Sequence, residues 1–164
     1  MANSETSLPP HPPAPTHALR LTFDYRGSAL RLTDSRRVEM VAPPVVAPPP
    51  KPGQSGYWIQ VTDAAGRIVY HRSLHNPIAV DTEAYAPDRT QTITRVPLPT
   101  REGQFTVLFP DLPAAQAFAL HGPADPGAPS TPAQELLRLD VETLRKFRPG
   151  RRDGRPGSGT PRGT

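Results

Sequence analysis

Alternating apolar and polar residues in the N-terminal part of the chain predict β-strands. Within residues 19–25 every second side chain is apolar, as in a strand that buries one face. Residues 26–28 read Arg-Gly-Ser, which is a turn signal, and the alternation resumes over 30–32. Polar residues at 33–35 interrupt it before a further short apolar pattern at 38–40. The pattern therefore predicts three short strands joined by turns, as in an antiparallel meander.

The clearest local signal is a β-hairpin. Apolar side chains alternate over 57–61 and resume over 68–70, on either side of a polar turn. Asp63 can cap this turn through its side chain, and Gly66 can take the positive φ that closes a hairpin. Further strand candidates lie at 78–85, 91–98, 104–109 and 116–121.

The spacing of these candidates predicts the fold class. They recur about every ten residues with turn residues between them, and no helical pattern occurs between residues 18 and 121. Such spacing favours two packed antiparallel sheets over alternating strands and helices. We therefore predict an all-β fold, an antiparallel immunoglobulin-like β-sandwich of about seven to nine strands. It is expected to occupy residues 17–122 and to be followed by one amphipathic helix.

Proline and glycine mark the segments outside this core. The chain contains 24 prolines and 12 glycines, concentrated in a few runs. Because proline has no N–H for a sheet, residues 42–53 are predicted to form an extended, polyproline-like loop. We expect a disordered proline-rich N-terminus over 1–16, a linker over 123–130 and a disordered basic tail over 148–164. The proline runs serve either as stiff linkers and edge guards or as ligands for aromatic grooves.

A single amphipathic helix is predicted over residues 131–147. Thr131 can cap its N-terminus, and Pro132 suits the first helical position. One face would carry apolar side chains at spacings of three and four, namely Ala133, Leu137, Val141, Leu144 and Phe147. This face either packs on the sandwich or binds a partner protein. Leu137, Val141 and Leu144 are therefore candidate partner-binding residues.

Two adjacent aromatic residues supply another candidate contact. Tyr57 and Trp58 lie on one predicted strand, so their side chains must point to opposite faces of the sheet. One of them is expected in the core. The other would be a surface aromatic that either covers the proline-rich loop or anchors an interface. Trp58 is the candidate partner-binding aromatic.

Positive charge is concentrated at the C-terminus. Residues 145–164 contain seven Lys or Arg and one Asp, a net charge of +6, whereas the whole chain carries +4. A flexible basic tail can bind nucleic acid electrostatically, with little sequence preference. The residues that would carry this alternative function are Arg145, Lys146, Arg148, Arg151, Arg152 and Arg155.

No residue pattern in the chain indicates an enzyme. There is no cysteine, no G-x-S-x-G motif and no glycine-rich phosphate loop. His71 and His75 are weak candidates for metal ligands. Histidines four residues apart share a face only on a helix, whereas these two are predicted at the end of a strand, and no third ligand follows at a familiar spacing. We predict no catalytic residue, no metal and no cofactor. An unrecognised hydrolase that uses dispersed groups such as His75 or Asp81 is a second alternative.

Three segments resemble the immunoglobulin-like accessory domains of bacterial proteins: Gly56-Tyr57-Trp58, the hairpin at 61–67 and the strand at 105–110. Their layout is similar to the β-sandwich that precedes the catalytic domain in IgA-protease-like metallopeptidases. The zinc-binding H-E-x-x-H motif of that family does not occur in this chain, so its peptidase activity is not implied. The resemblance implies a non-catalytic module that binds or positions another molecule.

The sequence as a whole favours a protein-interaction role. We predict a non-catalytic accessory module that binds or positions an unknown partner protein through loops, a sheet edge or the terminal helix. The N-terminus has no basic stretch followed by an apolar one, and no apolar run reaches the roughly 20 residues that cross a bilayer. With no cysteine present, a cytoplasmic protein without a membrane span is expected.

Overall fold

The described part of the chain consists almost entirely of β-strands. The computed structural model describes residues 15–45, 48–78, 81–84, 94–97 and 101–148. These residues form β1 (His17–Arg26), β2 (Ala29–Glu39), β3 (Tyr57–Thr62), β4 (Ile68–Leu74), β5 (Asp81–Ala84), β6 (Thr94–Pro97), β7 (Glu102–Pro110), β8 (Ala117–Gly122), β9 (Gln134–Asp140) and the helix α1 (Val141–Lys146). The tails predicted to be disordered lie outside the described residues, apart from their inner ends.

Seven antiparallel strands are arranged in two sheets, which confirms the predicted all-β sandwich. The three-stranded sheet has the order β2-β1-β7, and the four-stranded sheet has the order β4-β3-β8-β9. The connection between β2 and β3, which contains the proline-rich loop, crosses from one sheet to the other. β5 and β6 pair with each other in a separate two-stranded sheet. They fall within the strand candidates at 78–85 and 91–98, whose other residues, except Ile78, lie outside the description.

The segment predicted as two short strands after the first turn is one long strand. β2 runs unbroken over Ala29–Glu39 and pairs with β1 along its whole length. A β-bulge next to Thr22 shifts the register and accommodates Thr33 as the extra residue. The Thr33 hydroxyl donates a 3.1 Å hydrogen bond to the Thr22 carbonyl. The prediction of a break at 33–35 is therefore wrong, because Thr33 forms a bulge within the strand while Asp34 and Ser35 remain paired with β1.

The predicted hairpin is confirmed as β3 and β4. The Asp63 carboxylate accepts hydrogen bonds from the backbone N–H groups of Ala65 and Arg67, both at 2.9 Å. Gly66 has a φ of 76°, in the left-handed region that glycine adopts without a steric penalty. The hydrogen bonds from Arg67 lower the pKa of the Asp63 carboxyl. The ionised carboxylate is therefore the form that holds the turn.

The helix predicted over 131–147 is wrong for most of its length. Residues Gln134–Asp140 form β9, which pairs with β8 and completes the four-stranded sheet, and only Val141–Lys146 is helical. The helix is capped by Asp140, whose carboxylate accepts a 2.7 Å hydrogen bond from the backbone N–H of Thr143. The sandwich therefore includes residues well beyond the predicted boundary at 122.

Strand pairing explains why β9 is not helical. The apolar residues of this segment fit either a strand or a helix, and Leu137 and Leu139 both pack against the core from β9. Without β9, the backbone N–H and C=O groups along one side of β8 would have no partners in the sheet. Pairing with β8 satisfies them, so tertiary context overrides the local helix propensity.

Aromatic rings from both sheets meet in the core. Phe118 of β8 lies near Phe23 of β1 and Phe109 of β7, with ring centroids 6.2 and 5.2 Å away. All three side chains are fully buried. Since Phe23 and Phe109 belong to the three-stranded sheet, these stacked contacts join the two sheets. Such pairs contribute about 0.5–1.5 kcal/mol each beyond the burial of their area.

Phe118→Ala is expected to lower the free energy of unfolding by about 3–5 kcal/mol, because it leaves a cavity between the sheets. Phe147→Ala is the matched control, since Phe147 is only half-buried and lies just beyond α1. It should cost markedly less. Urea denaturation of both variants measures the difference, and a loss below about 1 kcal/mol for Phe118→Ala would contradict the central role of this ring.

Candidate functional site

An apolar groove lies where the proline-rich loop crosses between the two sheets. The loop after β2, the start of β4 and the end of β7 contribute its walls, and the cavity has a volume of about 250 Å³. It is lined by Pro15, residues 42–45, Val69, Tyr70, Pro110 and Leu112. We call this cavity the proline groove.

Tyr70 fixes the proline-rich loop to the body of the sandwich. Its hydroxyl donates a 2.8 Å hydrogen bond to the carbonyl of Pro43. The Tyr70 side chain also belongs to the main hydrophobic core, with 5 % of its surface exposed. The Tyr70 hydroxyl is a protonated donor at neutral pH, and burial raises its pKa further. One wall of the groove is thus anchored in the core.

Three exposed apolar side chains that the structure describes lie on the loop that lines the groove, and one of them, Val45, is itself a lining residue. Among the described residues, the large apolar side chains that are exposed are Met40 (50 %), Val41 (63 %), Val45 (46 %) and Ile68 (40 %). Val45 lines the groove, and Val41 and Ile68 are each next in sequence to a lining residue. Single exposed apolar residues are common, whereas an apolar patch on a folded protein marks an interaction surface.

The dimensions of the groove suit side chains of a peptide. Pockets for small ligands usually enclose about 300–1,000 Å³, and the groove, at about 250 Å³, lies below that range. Among the described residues, its lining includes no charged group that would orient a phosphate or a metal ion. Its chemistry therefore suits one or two apolar side chains, bound by contact and by removal of apolar surface from water.

A second cavity, of about 520 Å³, lies at the other end of β1, beside the turn to β2. Its lining includes charged side chains that already have partners. An Arg26 guanidinium nitrogen lies 3.3 Å from the Glu102 carboxylate, and the Gln104 side chain donates a 2.8 Å hydrogen bond to Asp24. Because these groups bind one another at an exposed surface, this cavity is a weaker candidate than the groove.

A largely buried carboxylate lies between two lining residues of the proline groove, Pro110 and Leu112. Asp111 follows β7, and its side chain is 9 % exposed. It accepts a 2.7 Å hydrogen bond from Nε of Arg37 in β2 and a 2.8 Å hydrogen bond from Nη2 of Arg145 in α1. The same Arg145 nitrogen donates a 2.8 Å hydrogen bond to the carbonyl of Leu112, a groove residue. This network ties β2, the end of β7 and α1 together beside the groove.

The candidate partner-binding residues of the predicted helix pack against the core of the domain itself. Val141 and Leu144 are fully or almost fully buried in the core, and Leu137 is half-buried and packs against it. The Ser35 hydroxyl also donates a 2.8 Å hydrogen bond to the Leu144 carbonyl. Of the two alternatives for this face, packing on the sandwich is the one found.

Trp58 is also buried, so the prediction that one of the two adjacent aromatics is exposed is wrong. Tyr57 and Trp58 are only 4 and 7 % exposed. The Trp58 ring stacks on His121 of β8, with centroids 5.2 Å apart and an interplanar angle of 10°. In the described part of the chain, Trp58 Nε1 and His121 Nε2 are buried without a hydrogen-bond partner. Burial lowers the pKa of the His121 imidazole, although the charge of Glu135 opposes this effect.

The two weak candidates for metal ligands lie in and just after one strand. His71 is buried within β4, and His75 is exposed just after it. Within the described ranges, no group of three or more His, Asp or Glu side chains is close enough to hold a metal ion. The side chain of Asp81, named with the hydrolase alternative, lies outside the description.

The basic residues proposed for nucleic-acid binding fall into two sets. Arg145 is bound to Asp111, and Nζ of Lys146 lies 3.0 Å from the Glu142 carboxylate. Arg148 is exposed. Arg151, Arg152 and Arg155 lie outside the described residues. Arg145 is therefore a structural residue of the sandwich and is only partly accessible to a ligand.

The sequence predicts the extended proline-rich loop but gives no sign of most of the groove beside it. Val69 and Tyr70 lie on β4 and Leu112 follows β7, so they reach the loop through the packing of two different sheets, which leaves no local signal in the sequence. Val45 did leave a signal, because a purely solvated proline loop has no need of a β-branched apolar side chain at its centre.

Comparisons with known proteins found no protein similar to this chain. No protein-family model matches the chain, and no match was found among curated proteins or solved structures. No helix in the described part of the chain is both long enough and apolar enough to cross a membrane.

Asp111→Asn is expected to lower the free energy of unfolding by about 1.5–3 kcal/mol at neutral pH, since it removes the charged acceptor for Arg37 and Arg145. Burial alone would raise the pKa of Asp111, but the hydrogen bonds from both arginines outweigh it and hold the pKa below its ordinary value of 3.8. The stabilisation is therefore complete above that value and is lost as pH falls through the lower folded-state pKa. Urea denaturation at neutral and acid pH measures this loss.

Asp125→Asn is the matched control for Asp111→Asn. The Asp125 side chain is 67 % exposed in its ion pair with Arg101, so this change should cost at most about 1 kcal/mol. Equal losses in the two variants would contradict the structural role assigned to Asp111.

Protonation of His121 is expected to quench the fluorescence of Trp58, the single tryptophan of the chain, because a cationic ring would then stack on the indole. Since burial lowers the pKa of His121, the midpoint of a fluorescence titration should lie below the ordinary value of 6.5. His121→Gln should abolish the transition, whereas His75→Gln, at an exposed position, should preserve it. A transition that survives His121→Gln would refute this assignment.

Proposed function

We propose that this chain is a non-catalytic protein-interaction module that binds an extended, proline-containing segment of a partner protein in the proline groove. The observation that carries the proposal is the position of the exposed apolar residues. Met40, Val41 and Val45 lie on the loop that forms one wall of the apolar groove. Burial of this surface by a partner would remove it from water at a gain of about 25 cal/mol per Å².

The lining of the groove favours a proline-rich occupant. The accessible lining comes mainly from the loop, including Pro43, Pro44 and Val45, because the Tyr70 ring beside them is only 5 % exposed. A proline-rich segment suits such an apolar groove because its extended conformation already exists in the free state, so little chain entropy is lost. Proline also has no N–H, so its burial in an apolar groove leaves no backbone donor unpaired.

The groove is supported on both sides before any partner binds. The Tyr70 hydroxyl holds the loop at Pro43, and Arg145 holds the carbonyl of Leu112. A surface that is already in its binding conformation loses less free energy to ordering when it binds. A rigid sandwich that presents a fixed loop agrees with the accessory role implied by the resemblance to immunoglobulin-like domains. We propose that the sandwich is itself of the immunoglobulin-like type.

Val45→Asp should weaken binding of a synthetic peptide of three Leu-Pro-Pro repeats by about tenfold or more, because a carboxylate would be buried among apolar side chains. Val45 is 46 % exposed in the free chain, so the change should leave the fold intact. Titration of the isotopically labelled 164-residue chain, followed through the amide signals of Val69, Tyr70 and Leu112, measures the affinity.

Ala29→Asp is the matched control for Val45→Asp. It introduces the same charge at an exposed position of the second cavity and should change the affinity by no more than about twofold, because distant sites act independently. Equal affinities for the two variants, or signal changes confined to the second cavity, would rule out the groove as the binding site. Urea denaturation checks that both variants remain folded.

A further inference from the structure

We propose that the N-terminal proline run of the same chain, residues 8–14, binds in the proline groove and competes there with the partner segment. The inference rests on the proposed function, because it treats the groove as a site for an extended peptide. It adds a regulatory occupant that is covalently attached to the site. The partner would then bind only where it displaces this segment.

The path of the chain places this segment next to the groove. Pro15 already lines the groove, and β1 begins shortly after it at His17. Residues 8–14 therefore continue the chain directly from a lining residue. In an extended proline-rich conformation, seven residues at about 3.1 Å each span roughly 22 Å. No spacer is needed for the segment to reach the loop at 42–45.

The composition of the segment matches the lining. Residues 8–14 read Leu-Pro-Pro-His-Pro-Pro-Ala, with no Lys, Arg, Asp or Glu. Binding would therefore bury no permanent charge against the apolar walls. The prolines have no N–H groups, so few backbone donors lose their hydrogen bonds to water. Leu8 and the pyrrolidine rings supply apolar contact of the kind that the groove accepts.

A tethered occupant changes the apparent affinity for the partner. A short linker gives its ligand an effective concentration on the order of 1 mM. If the segment binds the groove with an intrinsic dissociation constant on the order of 0.1 mM, it weakens an external peptide about tenfold. The groove would then select segments that bind more strongly than its own N-terminus.

Disulfide trapping in the 164-residue chain tests this placement, because the chain contains no cysteine of its own. Pro12→Cys combined with Val45→Cys should form an intramolecular disulfide, since a disulfide needs Cα atoms within about 7 Å. The rate should not change on dilution. Non-reducing electrophoresis and mass spectrometry measure the product.

The matched control keeps both cysteines and changes Pro9, Pro10 and Pro13 to serine. The tether length is unchanged, while the rings that would bind the groove are removed. We expect the control to form the disulfide at least about tenfold more slowly. Equal rates of disulfide formation in the two chains would overturn the proposal. They would mean that the disulfide forms through random collisions of the tethered segment, without binding in the groove.

Peptide affinity distinguishes this inference from the proposed function. A variant with Pro9, Pro10, Pro12 and Pro13 all changed to serine should bind the Leu-Pro-Pro peptide about tenfold more tightly than the wild type. Equal, measurable affinities would overturn the N-terminal occupant and leave the proposed function standing. Rapid trapping without peptide binding to either chain would support the N-terminal occupant and overturn the partner-binding function.

Discussion

The contact of Phe118 with Phe23 and Phe109 is the interaction on which the rest of the structure depends. It is the place where the two sheets share one core, with ring centroids 6.2 and 5.2 Å apart. Because protein interiors are close-packed, the volume of these rings sets the distance between the sheets. Every segment that crosses between the sheets must span that distance, including the proline-rich loop. Tyr70 connects this core to the surface, since its ring is buried and its hydroxyl binds the carbonyl of Pro43.

The parts of the fold that local chemistry determines were predicted from the sequence. The β3–β4 hairpin follows from the turn chemistry of Asp63 and Gly66, which acts over a few residues. β9 could not be predicted in the same way, because Leu137 fits a helical face as well as a strand. The unpaired side of β8 decides between them, and that partner is distant in sequence. Trp58 shows the same limit, since alternation gives the face of the sheet to which a side chain points but not what covers that face.

The candidate site was less predictable than the fold. The proline groove brings Pro15, Val45, Val69 and Leu112 together from separate segments, and only the loop among them has a distinctive composition. Arg145 shows the same difficulty for charge. In the sequence it belongs to a basic tail, whereas in the fold it binds Asp111, 34 residues away, and supports the groove. Composition describes what a segment carries, but long-range pairing decides which of its groups remain available to a ligand.

The central claim is that a loop fixed on the core forms a peptide-binding groove, and Tyr70→Phe tests it most directly. The change removes the hydroxyl that binds Pro43 and keeps the ring in the core. The account predicts that affinity for the Leu-Pro-Pro peptide falls about fivefold or more, because the loop loses its fixed position. The free energy of unfolding should fall by no more than about 1.5 kcal/mol, the usual contribution of one hydrogen bond. Unchanged peptide affinity in a stably folded Tyr70→Phe chain would contradict the claim.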